Sequence, residues 1–382
     1  MPFFYKHLTK GEDTMNDLTL PIQSPSPNDS QSVKELALEP VVVNHRSSQV
    51  RPAGHEPKSA RRLADTKNLS HQEWLAVRNT GIGGSDAAAA CGLNPYMSML
   101  ELWLIKTGRQ NPDLSDGLME NAYSPLYWGK ELEPLIAKYY TAKTGNKVRR
   151  VNAVLQHPDP DKSFMLANLD YAVNKSEVGV LEIKTTGEHG AKLWKHGVPL
   201  YVTCQVQHQL AVTGKSLAHV CVLICGHEAR VYEIKRDDIL IEKLITQERR
   251  FWDYVQQDVP PPADGSESAA KAITQLYSQS SADKTLDFSQ NEDMNMLFGQ
   301  LLAEKNLMEV HADNYESLKQ RIQMHIQDAE KAVFSLGSVS WKKSKDSVSL
   351  DTKALLKDQP ELLNQYPQVR QGSRRFLVNT KV

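Results

Sequence analysis

Asp170, Glu182 and Lys184 are the residues of this sequence best placed to do chemistry. They lie in Asn168-Leu169-Asp170 and, twelve residues further on, Leu181-Glu182-Ile183-Lys184. In an extended strand, side chains two apart share a face, so Glu182 and Lys184 project together while Leu181 and Ile183 point into a core. The intervening run 174–179 (NKSEVG) is a polar turn, and a hairpin centred on Ser176 sets Asp170 opposite Glu182. Two carboxylates and a lysine on one patch of sheet suit a hard, oxygen-seeking cation such as Mg²⁺ or Mn²⁺. Such an ion polarises a phosphoryl oxygen and acidifies a bound water. A neighbouring lysine orients that water or stabilises charge growing on the phosphate. The same residues on an exposed strand also make an ordinary surface salt bridge, and a D…ExK pattern alone is weak.

Flanking residues add to the set. Glu133 follows Gly129 by one helical turn, and a glycine there lets a backbone or a substrate come close; a solvated helix carboxylate is the plain alternative. Gln205 and Gln209 are four apart and share a helix face that is otherwise apolar. Their amides can contact phosphate, hold Lys184, or simply be satisfied in the core. Upstream, Arg78 precedes the turn 80–86 (TGIGGSD). An arginine beside a Gly-rich helix start is a good phosphate cradle, with Ser85 as ligand; Ser85 as a helix cap uses the same geometry. The turn is neither a Walker loop, lacking Gly-Lys-Ser/Thr, nor a dinucleotide fingerprint, since no strand precedes it.

The elements that must position these residues follow from periodicity and capping. Ser70–Glu73 and Ser98–Glu101 are capping boxes opening helices, the second ending at Gly108. A short Ala-rich helix, 87–91, stops at Gly92. Ser124-Pro125 opens a helix reaching toward Gly145, with a kink expected at Pro134. Runs 148–155, 165–173 and 178–185 are β-branched and alternating, which predicts strands. A helix over 201–212 ends at Gly214, a hairpin pairs 217–225 with 228–235 around Gly226, and a helix over 239–255 precedes Pro260-Pro261-Pro262. This order fits an α/β or α+β core with a helical appendage.

Residues 1–64 are rich in Ser, Pro, Asn and Gln and read as a disordered leader, with Met15 an alternative start. Residues 65–260 form the core domain, 261–290 a linker and 291–382 a helical, basic C-terminal region. There Leu301, Met308, Tyr315, Leu318, Ile322 and Ala329 fall near heptad spacing, interrupted by Glu304, His311 and His325, which predicts long paired helices or a short coiled coil. From Ser338 onward, nine Lys or Arg stand against four Asp or Glu.

Composition narrows the partners. Lys plus Arg number 45 against 46 Asp plus Glu, so a basic nucleic-acid surface must be local. No apolar run approaches membrane-spanning length. Four cysteines, Cys91, Cys204, Cys221 and Cys225, lack the spacing of a disulfide framework and point to the cytoplasm. None of the twelve histidines forms HExxH or a zinc pair; His208 reads as a core or DNA-facing residue.

Taken in order, Arg78 with Gly83-Gly84-Ser85-Asp86, Gly129–Glu133, Asn168–Asp170, Leu181–Lys184 and Gln205-Val206-Gln207 resemble the PD-(D/E)xK nuclease superfamily. More narrowly, they are similar to the YqaJ viral recombinase and lambda-type exonuclease family, over roughly residues 66–260. Leu169 stands where the superfamily name has proline. Asp351–Ala354 and Ser373–Phe376 also look like the tails of phage YqaJ-type proteins. The resemblance implies a restriction-endonuclease-like core, a central mixed sheet flanked by helices. It implies Asp170, Glu182 and the main-chain carbonyl of Ile183 as ligands of Mg²⁺, with Mn²⁺ able to substitute, and Glu133 supporting a second metal or its waters. Lys184 would activate the attacking water, Gln205 would hold that lysine or the substrate, and Arg78 and Ser85 would hold a DNA 5′-phosphate.

The activity so implied is 5′→3′ exonucleolytic digestion of double-stranded DNA ends to 3′ single strands. The resemblance further implies a ring-like homo-oligomer, with a trimer as one form it could take, and a single-strand annealing protein as partner. Some relatives hold an iron–sulfur cluster on four cysteines; here Cys221 and Cys225 lie in an apolar strand-like run without a CxxC pair, which predicts buried thiols. An endonuclease of restriction or structure-specific type shares the same metal site. A non-catalytic DNA-binding module is the other alternative, opposed by the intact Asp170, Glu182 and Lys184.

Overall fold

A computed structural model describes residues 60–110, 125–174, 178–369 and 372–380. The leader up to residue 59, the Met15 start, the Ser124 cap and the Ser176 hairpin tip lie outside them.

The described chain starts on β1 (Arg61–Asp65), so a strand falls inside the stretch expected as leader. Helix α1 (His71–Arg78) opens on a complete capping box: Ser70 N–H donates to Glu73 at 2.8 Å and Glu73 N–H to Ser70 Oγ at 3.3 Å. The Gly-rich turn leads into α2 (Gly84–Ala90), then α3 (Met99–Lys106) and the long α4 (Pro125–Thr144), which continues through Pro134. Strands β2 (Val148–Arg150), β3 (Ala153–Gln156), β4 (Leu166–Ala167), β5 (Tyr171–Val173) and β6 (Val180–Thr186) follow. A short α5 (Glu188–Ala191) precedes α6 (Leu200–Thr213), which Gly214 ends in the left-handed region at φ 69°. The hairpin β7 (Leu217–Ile224) and β8 (Glu228–Lys235) and helix α7 (Asp238–Gln256) complete the core run. Beyond it lie α8 (Glu267–Leu276), α9 (Glu292–Ile326), the hairpin β9 (Lys331–Phe334) and β10 (Gly337–Ser340), α10 (Thr352–Asp358) and α11 (Leu362–Gln365).

The central sheet is mixed, in the order β2-β5-β6-β7-β8, with only β6 and β7 parallel. A smaller antiparallel sheet, β1-β3-β4, stands beside it. Two runs expected as single strands are therefore divided. The 148–155 run breaks at Val151-Asn152 and the 165–173 run at 168–170, each half joining a different sheet. The second break frees the backbone around Asp170 from ladder pairing.

The two faces of the central sheet are filled by different helices. Leu181 and Ile183 pack with Ile136, Ala137 and Tyr140 of α4. Val180, Val220 and Val222 pack with Val202, Val206 and Leu210 of α6. Glu182 and Lys184 share the parity of Val180, so they lie under α6 rather than on an open surface.

Helix α8 lies in the stretch expected as linker, yet its Ala269 and Ala272 are buried. Ser268 accepts from Ser98 N–H at 2.7 Å and donates to the Glu101 carboxylate. The box expected at Ser98–Glu101 thus keeps only its first half, Glu101 N–H to Ser98 Oγ at 3.1 Å. Past α8, Arg374 of the basic tail donates to the Tyr277 carbonyl at 3.0 Å. Among the described residues no helix is long and apolar enough to cross a membrane.

Candidate active site

β5 and β6 pair with Tyr171 across from Leu181, and one step further along that register sets Asp170 across from Glu182. β5 ends there, and the freed edge of β6 is taken by a side chain: Ile183 N–H donates to Asp170 Oδ2 at 2.8 Å. The N–H and C=O of one strand residue face the same edge, so the Ile183 carbonyl faces the Asp170 side as well.

Glu182 is only 3% exposed and is held by three donors. Gln205 Nε2 reaches its Oε1 at 2.6 Å, Gln209 Nε2 its Oε2 at 2.8 Å, and Lys184 Nζ its Oε1 at 2.8 Å. Lys184 also donates to Gln205 Oε1 at 2.8 Å. A quarter of the lysine side chain remains open, whereas Glu182 is enclosed. Both glutamines on α6 therefore hold the site: Gln205 the lysine and glutamate together, Gln209 the glutamate.

Electrostatics follow from this crowding. Burial, then the nearby Glu182 carboxylate, push the Asp170 carboxyl well above the usual range, against the pull of Ile183 N–H. Glu133, on α4, is raised mainly by burial, with Arg150 pulling down and Glu182 pushing up. Burial disfavours the Lys184 ammonium, but Glu182 outweighs it and the net shift is upward, so the lysine is a firm cation. Glu133 reaches the cluster through charge rather than contact; Arg150 Nη2 holds it at 3.1 Å and lies over the Tyr171 ring. A Cβ on Gly129 would lie 3.5 Å from Thr185 Oγ1, an ordinary contact, so α4 runs beside the strand bearing Lys184 without requiring a glycine at that point.

Arg78 and Ser85 form a second focus. Arg78 Nη2 donates to Ser85 Oγ at 2.6 Å and to Asp86 at 2.7 Å. Gly83, not Ser85, caps α2, and the Asp86 carboxylate accepts Gly83 N–H at 3.0 Å. Asp86 is buried; burial alone would raise its pKa, but Arg78 and Lys106 drive it far below the usual carboxylate range. Lys106 Nζ, almost wholly enclosed, meets Asp86 at 2.7 Å. A Cβ on Gly84 would lie 3.2 Å from Gln209 and 3.4 Å from Gln205, so this turn packs directly on the helix carrying both glutamines.

His208 is a core residue. Its ring nitrogens lie 2.8 Å from Glu248 and 2.8 Å from the Leu166 carbonyl, both acceptors, which makes it an imidazolium. It ties α6 and α7 to β4, four residues ahead of Asp170. Cys204 and Cys221 are buried, and burial, helped at Cys204 by Glu248, raises their thiols to about 12 and about 11. Cys225, expected to be buried, is exposed at the β7–β8 turn with φ 49°; the apolar run ends one residue earlier than its composition suggests.

The sequence pattern misses Arg150, Lys106 and Glu248. Lys106 left a trace as a lone cation closing the apolar helix 99–106 (MLELWLIK). Arg150 and Glu248 left none, being fixed by partners distant in the chain.

Residues 73–216 match the YqaJ-like viral recombinase domain. Over 325 residues the chain is 34% identical to the uncharacterized protein YqaJ of Bacillus subtilis (strain 168), spanning 84% of this chain and 97% of that protein. Among solved structures it is similar to the alkaline exonuclease LHK-Exo of Laribacter hongkongensis (TM-score 0.40, 22% identity, 54% of this chain and 99% of that one). It is also similar to a phage related exonuclease of Haemophilus somnus 129PT (TM-score 0.30, 14% identity, 48% and 99%). With a third of its residues identical along nearly all of the Bacillus protein, the chain belongs to the YqaJ-like viral recombinase family.

Proposed function

We propose that this chain is a metal-dependent deoxyribonuclease that digests duplex DNA from its ends, 5′→3′, leaving 3′ single strands for recombination. The observation that carries the reading is the juxtaposition of Asp170 and Glu182 at the end of the β5–β6 pairing, with Lys184 and Gln205 bonded to the same glutamate.

The donor set fits Mg²⁺. Among the described residues no three His, Cys, Asp or Glu side chains cluster tightly enough to hold an ion alone. Mg²⁺ does not require that, since it keeps waters and substrate oxygens around one or two carboxylates. Two carboxylates crowded until one resists ionising are a place where a cation is favoured. Asp170, Glu182 and the Ile183 carbonyl would hold it, with Glu133 behind them, and Mn²⁺ would substitute. When bound, the ion supplies Lewis acidity toward the phosphate and toward water.

The protein residues do the rest. Lys184, charged and open on one side, donates to the water or to a phosphate oxygen; held as an ammonium, it positions and stabilises rather than removing a proton. Gln205 fixes the lysine relative to Glu182. Arg78 and Ser85, packed against the same helix, take the 5′-phosphate of an end, which gives the enzyme its preference for ends. A single-strand annealing protein is the partner that the product requires.

Linear duplex with and without 5′-phosphate, and a closed circle, are incubated with Mg²⁺ or chelator, beside Lys184→Ala. Metal-dependent loss of linear DNA alone, faster with the 5′-phosphate and absent in the variant, is expected. Cutting of the circle moves the assignment to an endonuclease, and no cutting at all leaves a DNA-binding module.

A further inference from the structure

Two carboxylates of the candidate metal site are each followed in sequence by a residue that lines one groove. Glu133 is followed by Pro134 on α4, and Asp170 by Tyr171 on β5. The open groove, about 440 Å³, runs between α4 and strands β2 and β5, with Ala137, Lys138, Thr141 and Val148 also lining it. β2 is an edge strand of the central sheet, so the groove lies along that edge.

Arg150 stands where the groove and the site meet. It pairs with Tyr171 across the β2–β5 ladder. Its guanidinium lies over the Tyr171 ring, 5.8 Å from the centroid, with Nε donating to the Tyr171 hydroxyl at 3.3 Å and Nη2 to Glu133 at 3.1 Å. The side chain is 47% exposed, so the guanidinium keeps N–H groups for a further acceptor.

Charge along the groove is of one sign. Lys130, Pro134 and Lys138 follow one another at four-residue spacing on one face of α4, and both lysines are exposed. Lys138 lies about 7.5 Å along the helix from Glu133. Among the described residues no carboxylate lines the groove, and Glu133 at its head is already held by Arg150. The whole chain carries 45 basic against 46 acidic side chains, so this stripe is a local excess of the kind a polyanion selects. Between the cations the floor of Pro134, Ala137 and Val148 is small and apolar, which suits a sugar passing between two phosphates.

We propose that the groove carries the phosphate backbone of the DNA strand being digested, with Arg150 holding a phosphate beside the metal site and Lys138 the next one along. The proposal rests on the nuclease reading and adds to it the path that the strand takes past Asp170 and Glu182. It is distinct from the Arg78–Ser85 focus, which packs against α6, whereas α4 covers the other face of the sheet.

The test uses the full chain and a fluorescein-labelled linear duplex. Binding is followed by anisotropy over a range of salt, in chelator, which removes the metal that digestion needs. Lys138→Met and Arg150→Met should each weaken binding and flatten the dependence of log Kd on log salt by about 0.9, and the double variant by about 1.8, one phosphate contact apiece. Lys243→Met, exposed on α7 behind α6, should leave that slope unchanged. A purely structural role for Arg150, acting through Glu133, would lower digestion without moving the slope. Where Arg150→Met disturbs the fold, seen by circular dichroism, Lys138→Met tests the groove by itself. Unchanged slopes in variants of a native protein that binds and digests linear duplex overturn the groove and leave the nuclease reading standing. A native protein that does not bind the duplex overturns both.

Discussion

Gln205 grips two side chains of one strand at once: its Oε1 accepts from Lys184 Nζ at 2.8 Å and its Nε2 donates to Glu182 at 2.6 Å. Only an amide offers a donor and an acceptor in that order. Gln205→Glu keeps the size and removes the donor, placing a second carboxylate against Glu182. Displacement of Lys184 from its working position should then cost about 100-fold in digestion rate. Single-turnover digestion of linear duplex measures it. A rate equal to that of the native protein would show that Gln205 does not hold the site.

Arg78 and Lys106 share Asp86, but they do so differently. Arg78 is partly open and also bonds Ser85, whereas Lys106 is buried with Asp86 as its counter-ion. Arg78→Ala should therefore leave the Asp86–Lys106 pair, keep the fold, and abolish the preference for a 5′-phosphate. Asp86→Ala strands a buried ammonium and should cost about 3–5 kcal/mol. Denaturant melts beside the end-preference assay separate the two effects. Equal destabilisation by both substitutions would reassign Arg78 to a structural role.

Gly81 is a glycine because of its neighbour. Its Cβ would lie 2.4 Å from the Phe164 carbonyl oxygen, a backbone atom, where Ile82 N–H bonds that oxygen at 2.7 Å and Leu166 N–H bonds Ile82 at 2.8 Å. Gly81→Ala must push the turn off β4, at about 1–3 kcal/mol. Chemical denaturation checks this; unchanged stability would mean that the turn has slack the packing denies.

The hairpin carrying the candidate site was legible because it is local: alternation fixed which residues share a face, and the length of the polar turn fixed the register of Asp170 to Glu182. The strand breaks at Val151-Asn152 and 168–170 were not, because neither break carries a glycine or proline. They arise from the smaller sheet, where β3 pairs with β1, far upstream in the chain, and β4 pairs with β3, partners that the local pattern does not reveal. Helix α8 was hidden for the opposite reason. The triproline and Ser-rich context look like linker, and only the reach of Ser268 to Ser98 and Glu101 reveals that it docks. Gln205 and Gln209 fell on one helix face by spacing, yet their shared target, Glu182, depended on α6 covering the sheet.

His208 and Glu248 are both fully buried, and the carboxylate's other oxygen finds no protein partner among the described residues. Burial pulls the His208 pKa down, but Glu248 and the Leu166 carbonyl pull harder, and the net shift is upward from 6.5. A histidine raised by folding lends stability in full below its unfolded pKa and loses it as pH rises through the folded one. Glu248→Gln removes the charge and keeps the shape. The native protein should exceed it in stability by roughly 3–5 kcal/mol in mildly acidic buffer, with the gap narrowing as pH rises into the alkaline range. Because His208 also holds the Leu166 carbonyl ahead of Asp170, digestion should weaken in the variant even at temperatures well below its melt. Denaturant melts across pH decide the matter: a gap that stayed constant or widened with pH would mean the pair is not the ionised one its two acceptors require.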